Sequence, residues 1–364
     1  MKLSNKFLYY IGLILVCIYS WDFFSNIIEF SYNLNRFIIF LITLCYSFNF
    51  FNCKYTKKEM LILFMLLILV YYSAIKNNEL KIYLTYITII SSKNISTRKI
   101  IKKFLIINFI MLAVHILLTI TGITPEKLSY FTYIDKRARY TFNLRHPNYL
   151  AAILFWITSA YIYLNYKKGI FNKLLTINIS MILMYLLTFS RTTLVLYILL
   201  NFAVIFQKNR KKISLMRTSK ILIIIIILFS LYTTWNYQTL ILNHKFISKI
   251  NILLSERLYL SNRIFHYLDL TLLGQNVYAL IDNFTIDSLY ISFLIQYGLI
   301  HFFILILIFI KFPIKEENFM EYMFILIIMV AGISEKYVIN IALCFPLLFI
   351  KDNMFKKSIN NIKE

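Results

Sequence analysis

Apolar residues along this chain occur in long runs, without the alternation of polar and apolar positions that strands show. Runs such as Met60 to Val70 and Ile221 to Phe229 contain no charged residue. A transmembrane helix needs about 20 mostly apolar residues to cross a hydrocarbon core of about 30 Å, whereas a membrane barrel alternates inward and outward positions. The pattern therefore predicts an all-α polytopic membrane protein.

About twelve segments are candidates for membrane-spanning helices, and two long stretches between them are predicted to be external loops. The loops cover residues 122–148 and 236–287, and long loops in a compact chain are usually functional. The rest of 1–364 is predicted to be a single integral membrane domain. The candidate spans are Phe7 to Phe24, Phe37 to Phe51, Met60 to Ile75, Leu80 to Ser92, Phe104 to Thr121, Tyr149 to Asn165, Leu174 to Phe189, Thr193 to Phe206, Ile221 to Trp235, Ser288 to Ile310, Phe319 to Ile333 and Val338 to Ile350.

Composition excludes several other classes. The chain has 364 residues, of which 60% are hydrophobic and only 15% charged, whereas soluble domains have about 25% charged residues. The formal net charge is +23, but the basic residues form short clusters between apolar runs. A nucleic-acid partner is not expected, because it would need a basic face on a soluble fold. The four cysteines lack ligand-like spacing, so neither a disulfide framework nor a metal site is predicted.

The basic clusters predict the orientation of the chain. Lysine and arginine in short loops mark the cytoplasmic side, and with the N-terminus inside, every cluster of three or more in a short loop falls inside. Both termini are then cytoplasmic. Keeping the short fourth segment places the basic stretch Lys208 to Lys220 inside, so a reporter fused after Lys212 is expected to be cytoplasmic.

The first external loop contains four cations and one histidine within the stretch from Asp135 to Asn148. The planar guanidinium group matches phosphate oxygens, so Arg137, Arg139 and Arg145 are suited to a pyrophosphate at the bilayer surface. Attraction to anionic lipid head groups is the alternative. His146 is a candidate acid or base, and a helix cap is the competing role.

Further charged residues lie in the remaining external segments. Ser190 and Arg191 join the seventh and eighth spans with almost no loop, and an arginine there should snorkel or point toward an anion. The second long loop carries Arg257 and Arg263. Aspartates before the tenth span can act as general bases toward a sugar hydroxyl or as helix caps; they follow in the pairs Asp282-Asn283 and Asp287-Ser288. Glu335 and Lys336 are interpreted as a solvated turn.

Three of these pieces, in this order, resemble the bacterial polysaccharide polymerase and O-antigen ligase superfamily, which includes the Wzy-type capsule and O-antigen polymerases. The resemblance spans about Tyr140 to Gly298. Ligases of this superfamily characteristically have a histidine where this chain has Asp287, and the aspartate is associated with polymerases. The pieces are Leu144-Arg145-His146-Pro147-Asn148, Thr188-Phe189-Ser190-Arg191, and the stretch from Asp282-Asn283 through Asp287-Ser288 to Gly298.

The resemblance implies a GT-C-like fold and a metal-independent glycosyltransferase without a cofactor, located in the bacterial cytoplasmic membrane. Its substrates would be oligosaccharide and polysaccharide linked to undecaprenyl pyrophosphate, and its partners would be the lipid bilayer and a chain-length regulator. Arg145, Arg191, Arg257 and Arg263 would stabilise the departing pyrophosphate, while Asp287 or His146 steers the hydroxyl proton. The expected substrate-binding residues are Arg137, Arg139, Asn148, Ser190, Asp282 and Asn283.

Two other functions remain open from the sequence. A flippase for the lipid-linked repeat unit would carry charge along a path through the middle of the membrane, whereas the predicted spans are almost free of interior charge except at His115. A ligase would transfer finished glycan to another acceptor. Loss of a polymerase leaves single repeat units on lipid, whereas loss of a ligase leaves unattached long chains.

Overall fold

The computed structural model describes residues 2–21, 32–126, 128–130, 137–144, 146–166, 169–209, 211–253, 256–277 and 286–360, and these are mostly helical. A two-stranded antiparallel sheet pairs β1 (Ser129–Tyr130) with β2 (Ala138–Arg139). The helices are α1 (Lys2–Ser20), α2 (Tyr32–Asn52), α3 (Lys57–Lys76), α4 (Lys81–Ser91), α5 (Thr97–Ile120), α6 (Pro147–Leu164), α7 (Ile170–Thr188), α8 (Arg191–Phe206), α9 (Lys212–Trp235), α10 (Tyr237–Asn243), α11 (Lys245–Leu253), α12 (Arg257–Tyr267), α13 (Leu289–Ile291), α14 (Leu299–Lys311), α15 (Phe319–Ala331) and α16 (Phe349–Asn360).

Within the described ranges, six helices are long and apolar enough to cross a membrane: Leu34–Asn52, Lys57–Lys76, Thr97–Ile120, Pro147–Leu164, Ile170–Thr188 and Lys212–Trp235. Three shorter apolar helices are Lys6–Ser20, Arg191–Phe206 and Leu299–Lys311. Long helices such as α9 expose large apolar side chains, among them Ile221, Ile225 and Phe229, which water would disfavour and lipid would not. The chain is thus an α-helical protein of membrane type, and the predicted count of twelve spans is not confirmed.

The last predicted span is wrong, because Val338 to Ile350 is not a continuous helix. The chain forms 3₁₀ turns at Lys336–Ile339 and Phe345–Leu348, and α16 begins only at Phe349. Asn340 organises the turn between them: its carbonyl accepts from the amide of Leu343 at 3.0 Å, and its Oδ1 accepts from the amide of Ala342 at 3.1 Å. Nearly every side chain in the stretch is buried in the protein, so its apolar composition reflects a protein core.

The predicted span from Ser288 to Ile310 is broken in the middle. The chain continues from α13 into a π-helix over Ser292–Tyr297, stops at Gly298, and resumes as α14. Gly298 has φ +93°, a conformation that side chains bearing a Cβ rarely adopt. A broken helix at membrane depth is tolerated where protein satisfies the freed backbone groups.

The chain folds as two compact units. Unit 1 comprises Met1–Phe64, Leu84–Asn209 and Asn340–Glu364, and unit 2 comprises Met65–Tyr83 and Arg210–Ile339. The core of unit 1 contains Trp156, whose ring contacts Phe155 and Phe345. In unit 2, α9 packs along α15 and α12, and the Tyr322 hydroxyl donates to the carbonyl of Met216 at 2.8 Å.

The loops of unit 1 gather in two sets. In one set, Lys93 pairs with Glu59 at 3.1 Å and lies over the ring of Tyr55, which also contacts the ring of Phe355 in α16. In the same set, the Arg98 side chain near the start of α5 donates to the carbonyl of Leu164 at the end of α6, at 2.5 Å. In the other set, the Tyr149 hydroxyl donates to the carbonyl of Ser20, and the loop before α6 meets the turn between α7 and α8.

Candidate functional site

In unit 1, the strand around β2 lies along the C-terminal end of α7. The amide of Tyr140 donates to the carbonyl of Leu187 at 2.9 Å, and Nε of Arg139 donates to the carbonyl of Thr188 at 2.6 Å. These carbonyls belong to the last turn of a helix, where no intrahelical partner exists and cations are favoured. Phe189 then adopts a left-handed conformation with φ +48° and ends the helix.

Arg139 also reaches the start of α6, because its Nη2 donates to Oδ1 of Asn148 at 2.6 Å. The side chain is buried, so one guanidinium group joins the loop before α6, the N-terminus of α6 and the turn between α7 and α8. The structure therefore brings Arg139 and Asn148 together, but through contacts within the protein. Arg139 therefore holds these segments of unit 1 together.

Other predicted site residues lie around the turn between α7 and α8. The guanidinium of Arg137 lies 5.0 Å from the ring centre of Phe189. The hydroxyls of Ser190 and Thr193 are 3.0 Å apart, and Arg191 begins α8 with an exposed side chain. Arg137 and Arg191 are both exposed residues at this turn.

His146 caps α6, as the competing interpretation of the sequence proposed. Its Nδ1 accepts from the amide of Asn148 at 3.1 Å, which satisfies one of the donors that a helix start leaves open. The preceding residue, Arg145, lies outside the described residues. The convergence of Arg145 with the other three arginines therefore stays a prediction.

In unit 2, Arg257 is held between two carboxylates at the start of α12. Its Nε lies 3.3 Å from Oδ2 of Asp287, and its Nη1 lies 3.0 Å from Oε1 of Glu335. Nη1 also donates to the carbonyl of Ser334. The Glu335 side chain is only 8% exposed, whereas that of Asp287 is 42% exposed. Asp287 is therefore the member of this group that an external molecule can reach.

Burial and charge act in opposite directions on these groups. Partial burial raises the pKa of Asp287, against the lowering effects of the Arg257 and Lys336 charges. Burial lowers the pKa of Arg257, but the charges of Glu335 and Asp287 outweigh it and raise that pKa overall. An aspartate with a raised pKa that faces solvent and is oriented by an arginine has the properties of a general base.

A second charged group continues from the first along the chain. Nζ of Lys336 lies 3.1 Å from Oε2 of Glu79 and 2.7 Å from Oε1 of Gln296, which belongs to the π-helix. The interpretation of Glu335 and Lys336 as a solvated turn is wrong, because both side chains are mostly buried and paired. The available signal was their position as adjacent charges between two apolar runs, where intramembrane charges are costly and functional.

The other predicted residues of unit 2 lie apart from this group. Arg263 is exposed, and six residues along a helix correspond to a rotation of about 240°, so Arg257 and Arg263 do not share a face of α12. Asp282 and Asn283 lie outside the described residues. Within the described part of the chain, no three His, Cys, Asp or Glu side chains come together as metal ligands would.

The fold and these contacts define a mostly helical membrane-type protein with a buried ion-pair group at a helix start and an arginine-bearing turn in a separate unit. Comparison with family models, with curated proteins and with solved structures gives no match to this chain.

Proposed function

We propose that this protein is a polysaccharide polymerase, a metal-independent glycosyltransferase. It transfers a growing glycan from undecaprenyl pyrophosphate to a lipid-linked repeat unit at the outer face of the bacterial cytoplasmic membrane. The observation that carries the proposal is the accessible Asp287 carboxylate, which Arg257 orients at 3.3 Å while Glu335 holds Arg257 from the other side. The order of the sequence pieces that resemble the superfamily supports it.

In this reaction the hydroxyl oxygen of the acceptor sugar bonds to the anomeric carbon of the donor glycan. The bond from that carbon to the pyrophosphate oxygen breaks, and the pyrophosphate leaves with the electron pair. Asp287 accepts the proton of the attacking hydroxyl, and its raised pKa favours proton uptake. Because Arg257 already faces two carboxylates, its role is to orient Asp287.

Charge on the departing pyrophosphate requires cations that are accessible. Arg191 and Arg263 have exposed side chains, as does Arg137, whose guanidinium lies over the ring of Phe189. Guanidinium donors aimed at a developing charge stabilise the transition state more than the ground state. We therefore propose these arginines, each within its own unit, and Arg145 from the sequence, as candidates for binding pyrophosphate.

The proposal is tested in the native host with Asp287→Asn, Arg191→Ala and Arg263→Ala, compared with Lys245→Ala, an exposed cation of the same predicted external loop. We expect each site variant to shorten the surface polymer and to accumulate single repeat units on lipid, because removing a base or a charge stabiliser costs about 10²-fold or more in rate. Lys245→Ala should leave the polymer unchanged. Full-length polymer in all three site variants at normal protein levels would contradict the proposal.

A flippase is the second candidate, and one observation favours it. The helix broken at Gly298 carries Gln296, which Lys336 reaches, and broken helices with polar groups at the break are typical of transporter binding sites. A deletion strain separates the two functions. Loss of a flippase leaves lipid-linked repeat units on the inner leaflet, whereas loss of the polymerase leaves them on the outer leaflet, where an added glycosidase can reach them.

A further inference from the structure

The break at Gly298 is built around a close contact between two backbone segments of unit 2, residues 271–275 and 296–300, which we call the glycine crossing. A Cβ on Gly274 would lie 2.0 Å from the carbonyl oxygen of Gln296, and a Cβ on Gly298 would lie 2.3 Å from the amide nitrogen of Gly274. Only glycine allows this approach. The two segments are therefore fixed against each other.

Hydrogen bonds across the glycine crossing satisfy the broken helix. The amides of Leu299 and Ile300, at the start of α14, donate to the carbonyls of Thr271 and Leu272 at 3.0 and 3.3 Å. The amide of Gln275 donates to the carbonyl of Gln296 at 3.2 Å. Since the backbone of the break is paired in this way, polar side chains at the crossing are not needed to complete it.

Ser73 in α3 and Asn77 directly after it add two fully buried polar side chains to the glycine crossing. The hydroxyl of Ser73 donates to the carbonyls of Leu273 and Tyr297 at 3.0 and 3.4 Å, and Nδ2 of Asn77 donates to that hydroxyl at 3.1 Å. This contact fixes the orientation of the Asn77 amide. Lys336 fixes that of Gln296 in the same way, since its Nζ lies 2.7 Å from Oε1.

Several other polar atoms, at the glycine crossing or on residues close to it along the chain, are buried without a hydrogen-bond partner among the described residues. Leaving such a group unpaired costs about 1–3 kcal/mol, and native proteins hold only a few per 100 residues. Their concentration around one backbone contact is the feature expected of a binding site, where convergent polar groups wait for a ligand. The atoms are Oδ1 of Asn77, Oγ1 of Thr271, Oδ1 of Asn276, Oγ of Ser292 and Nε2 of Gln296.

The mixture of donors and acceptors indicates the class of ligand. The set contains one amide donor, two amide acceptors and two hydroxyls that can act in either sense. A phosphate would require donors alone, and Lys336, a cation at the crossing, is already paired with Glu79 at 3.1 Å. A sugar hydroxyl both donates and accepts, so it complements the set.

We propose that the glycine crossing binds a sugar residue of the lipid-linked acceptor, with Gln296 donating to a sugar oxygen and Asn77 accepting from a sugar hydroxyl. This inference rests on the proposed polymerase function and assigns its acceptor subsite. The subsite lies on the same broken segment that Asp287 precedes, so a sugar held there is carried by the element that also positions the base.

The test measures binding of the repeat-unit oligosaccharide, released by mild acid from the lipid-linked precursors of the native host, to the purified full-length protein by isothermal titration calorimetry. We expect Asn77→Leu and Gln296→Glu each to weaken binding about tenfold or more, as the loss of one hydrogen bond to a sugar does. Gln296→Glu keeps an oxygen for Lys336 and so preserves the local contact, but it removes the N–H donor. Asn262→Leu is the matched control, because Asn262 is an equally buried amide whose Nδ2 instead donates to the carbonyls of Thr234 and Trp235.

Unfolding temperatures measured without ligand show which variants fold. Wild-type affinity in folded Gln296→Glu and Asn77→Leu, or no binding to the wild-type protein, overturns the subsite. The same loss of affinity in Asn262→Leu also overturns the subsite, because removal of any buried amide would then weaken binding. Polymer length in the deletion strain tests the polymerase function independently, so a normal polymer rejects that function whatever the binding result.

Discussion

At the scale of single residues, several charged side chains of this protein are held in place by ion pairs with one another. Arg257 faces Asp287 and Glu335, and Lys336 faces Glu79. A buried ion pair adds little net stability, but removing one partner leaves the other charge buried without compensation, at a cost of several kcal/mol. The residues that orient a reactive group are then as sensitive to substitution as the group itself.

Glu335→Gln should lower the stability of the protein, because it removes one of the two carboxylates that face the mostly buried Arg257. We expect a loss of about 2 kcal/mol in the free energy of unfolding, seen as a lower unfolding temperature in detergent. Glu316→Gln, which changes an exposed glutamate, should stay within about 0.5 kcal/mol of wild type. Equal unfolding temperatures for the two variants would show that Glu335 does not hold Arg257.

We expect the stability of the protein to depend on pH because of Lys351. It lies in α16, donates to the carbonyl of Ile95, and is buried, which lowers its pKa to about 8. Between pH 8 and its ordinary pKa of 10.5, the unfolded chain binds more protons at this group than the folded chain. The free energy of unfolding should therefore rise with pH in that window, by about 3 kcal/mol at most.

The measurement is the unfolding temperature of wild type and Lys351→Met from pH 7 to 10. The variant lacks the titrating group, so the wild type should gain stability relative to it as the pH increases. Lys54→Met removes an exposed lysine instead and should follow the wild type. A difference between wild type and Lys351→Met that stays constant over this pH range would reject the assignment.

At the scale of helices, the sequence predicted the long elements and failed on the short ones. Runs such as the one in α9 are apolar over their whole length and emerge as helices, because lipid and backbone pairing favour no other structure. Composition does not separate a lipid-facing segment from one buried in protein. Residues 338–350 therefore looked like a span but form turns, and the break at Gly298 depends on contacts with residues 271–275, which sequence spacing does not reveal.

The candidate site shows the same division. The capping role of His146 and the choice of Asp287 as a candidate base followed from their positions before predicted helices. The role of Glu335 did not, because its burial arises from contact with Arg257, 78 residues earlier in the chain. The local pattern around Glu335 is that of an ordinary polar turn.

Gly298→Ala should disrupt the glycine crossing. The added Cβ would meet backbone atoms of Leu272 and Gly274, which no rotation of a side chain can relieve. We expect a loss of more than about 3 kcal/mol. Gly122→Ala is the matched control, because Gly122 also has positive φ but nothing lies within 4 Å of its added Cβ, and it should cost about 1 kcal/mol. Similar yields and unfolding temperatures for both variants would reject the close contact.

At the scale of the whole molecule, the contacts between loops agree with the alternation of sides that the charge pattern predicts. In unit 1, the contacts of Tyr55, Lys93 and Phe355 join only loops that were predicted to be internal. The contact of Tyr149 with Ser20 joins two predicted spans near the ends that were predicted to be external. In unit 2, Lys220 donates to the carbonyl of Phe312, and both were predicted to be internal.

Reporter fusions test this topology directly. Fusions after Lys58 and after Lys212 should behave as cytoplasmic, because both positions follow basic clusters that resist translocation. A fusion after Gly122 should behave as external. An external result for Lys212 would remove the fourth segment, α4, from the count of crossings.

The division of the chain into units has a consequence for biosynthesis. Unit 1 is completed by Asn340–Glu364, and unit 2 recruits Met65–Tyr83 from near the start of the chain. During translation, Met65–Tyr83 therefore enters the bilayer more than a hundred residues before the rest of unit 2 is synthesised. Unit 1 stays incomplete until α16 has been synthesised. A stalled or truncated product would lack a segment of both units, and we expect membrane quality-control proteases to degrade it.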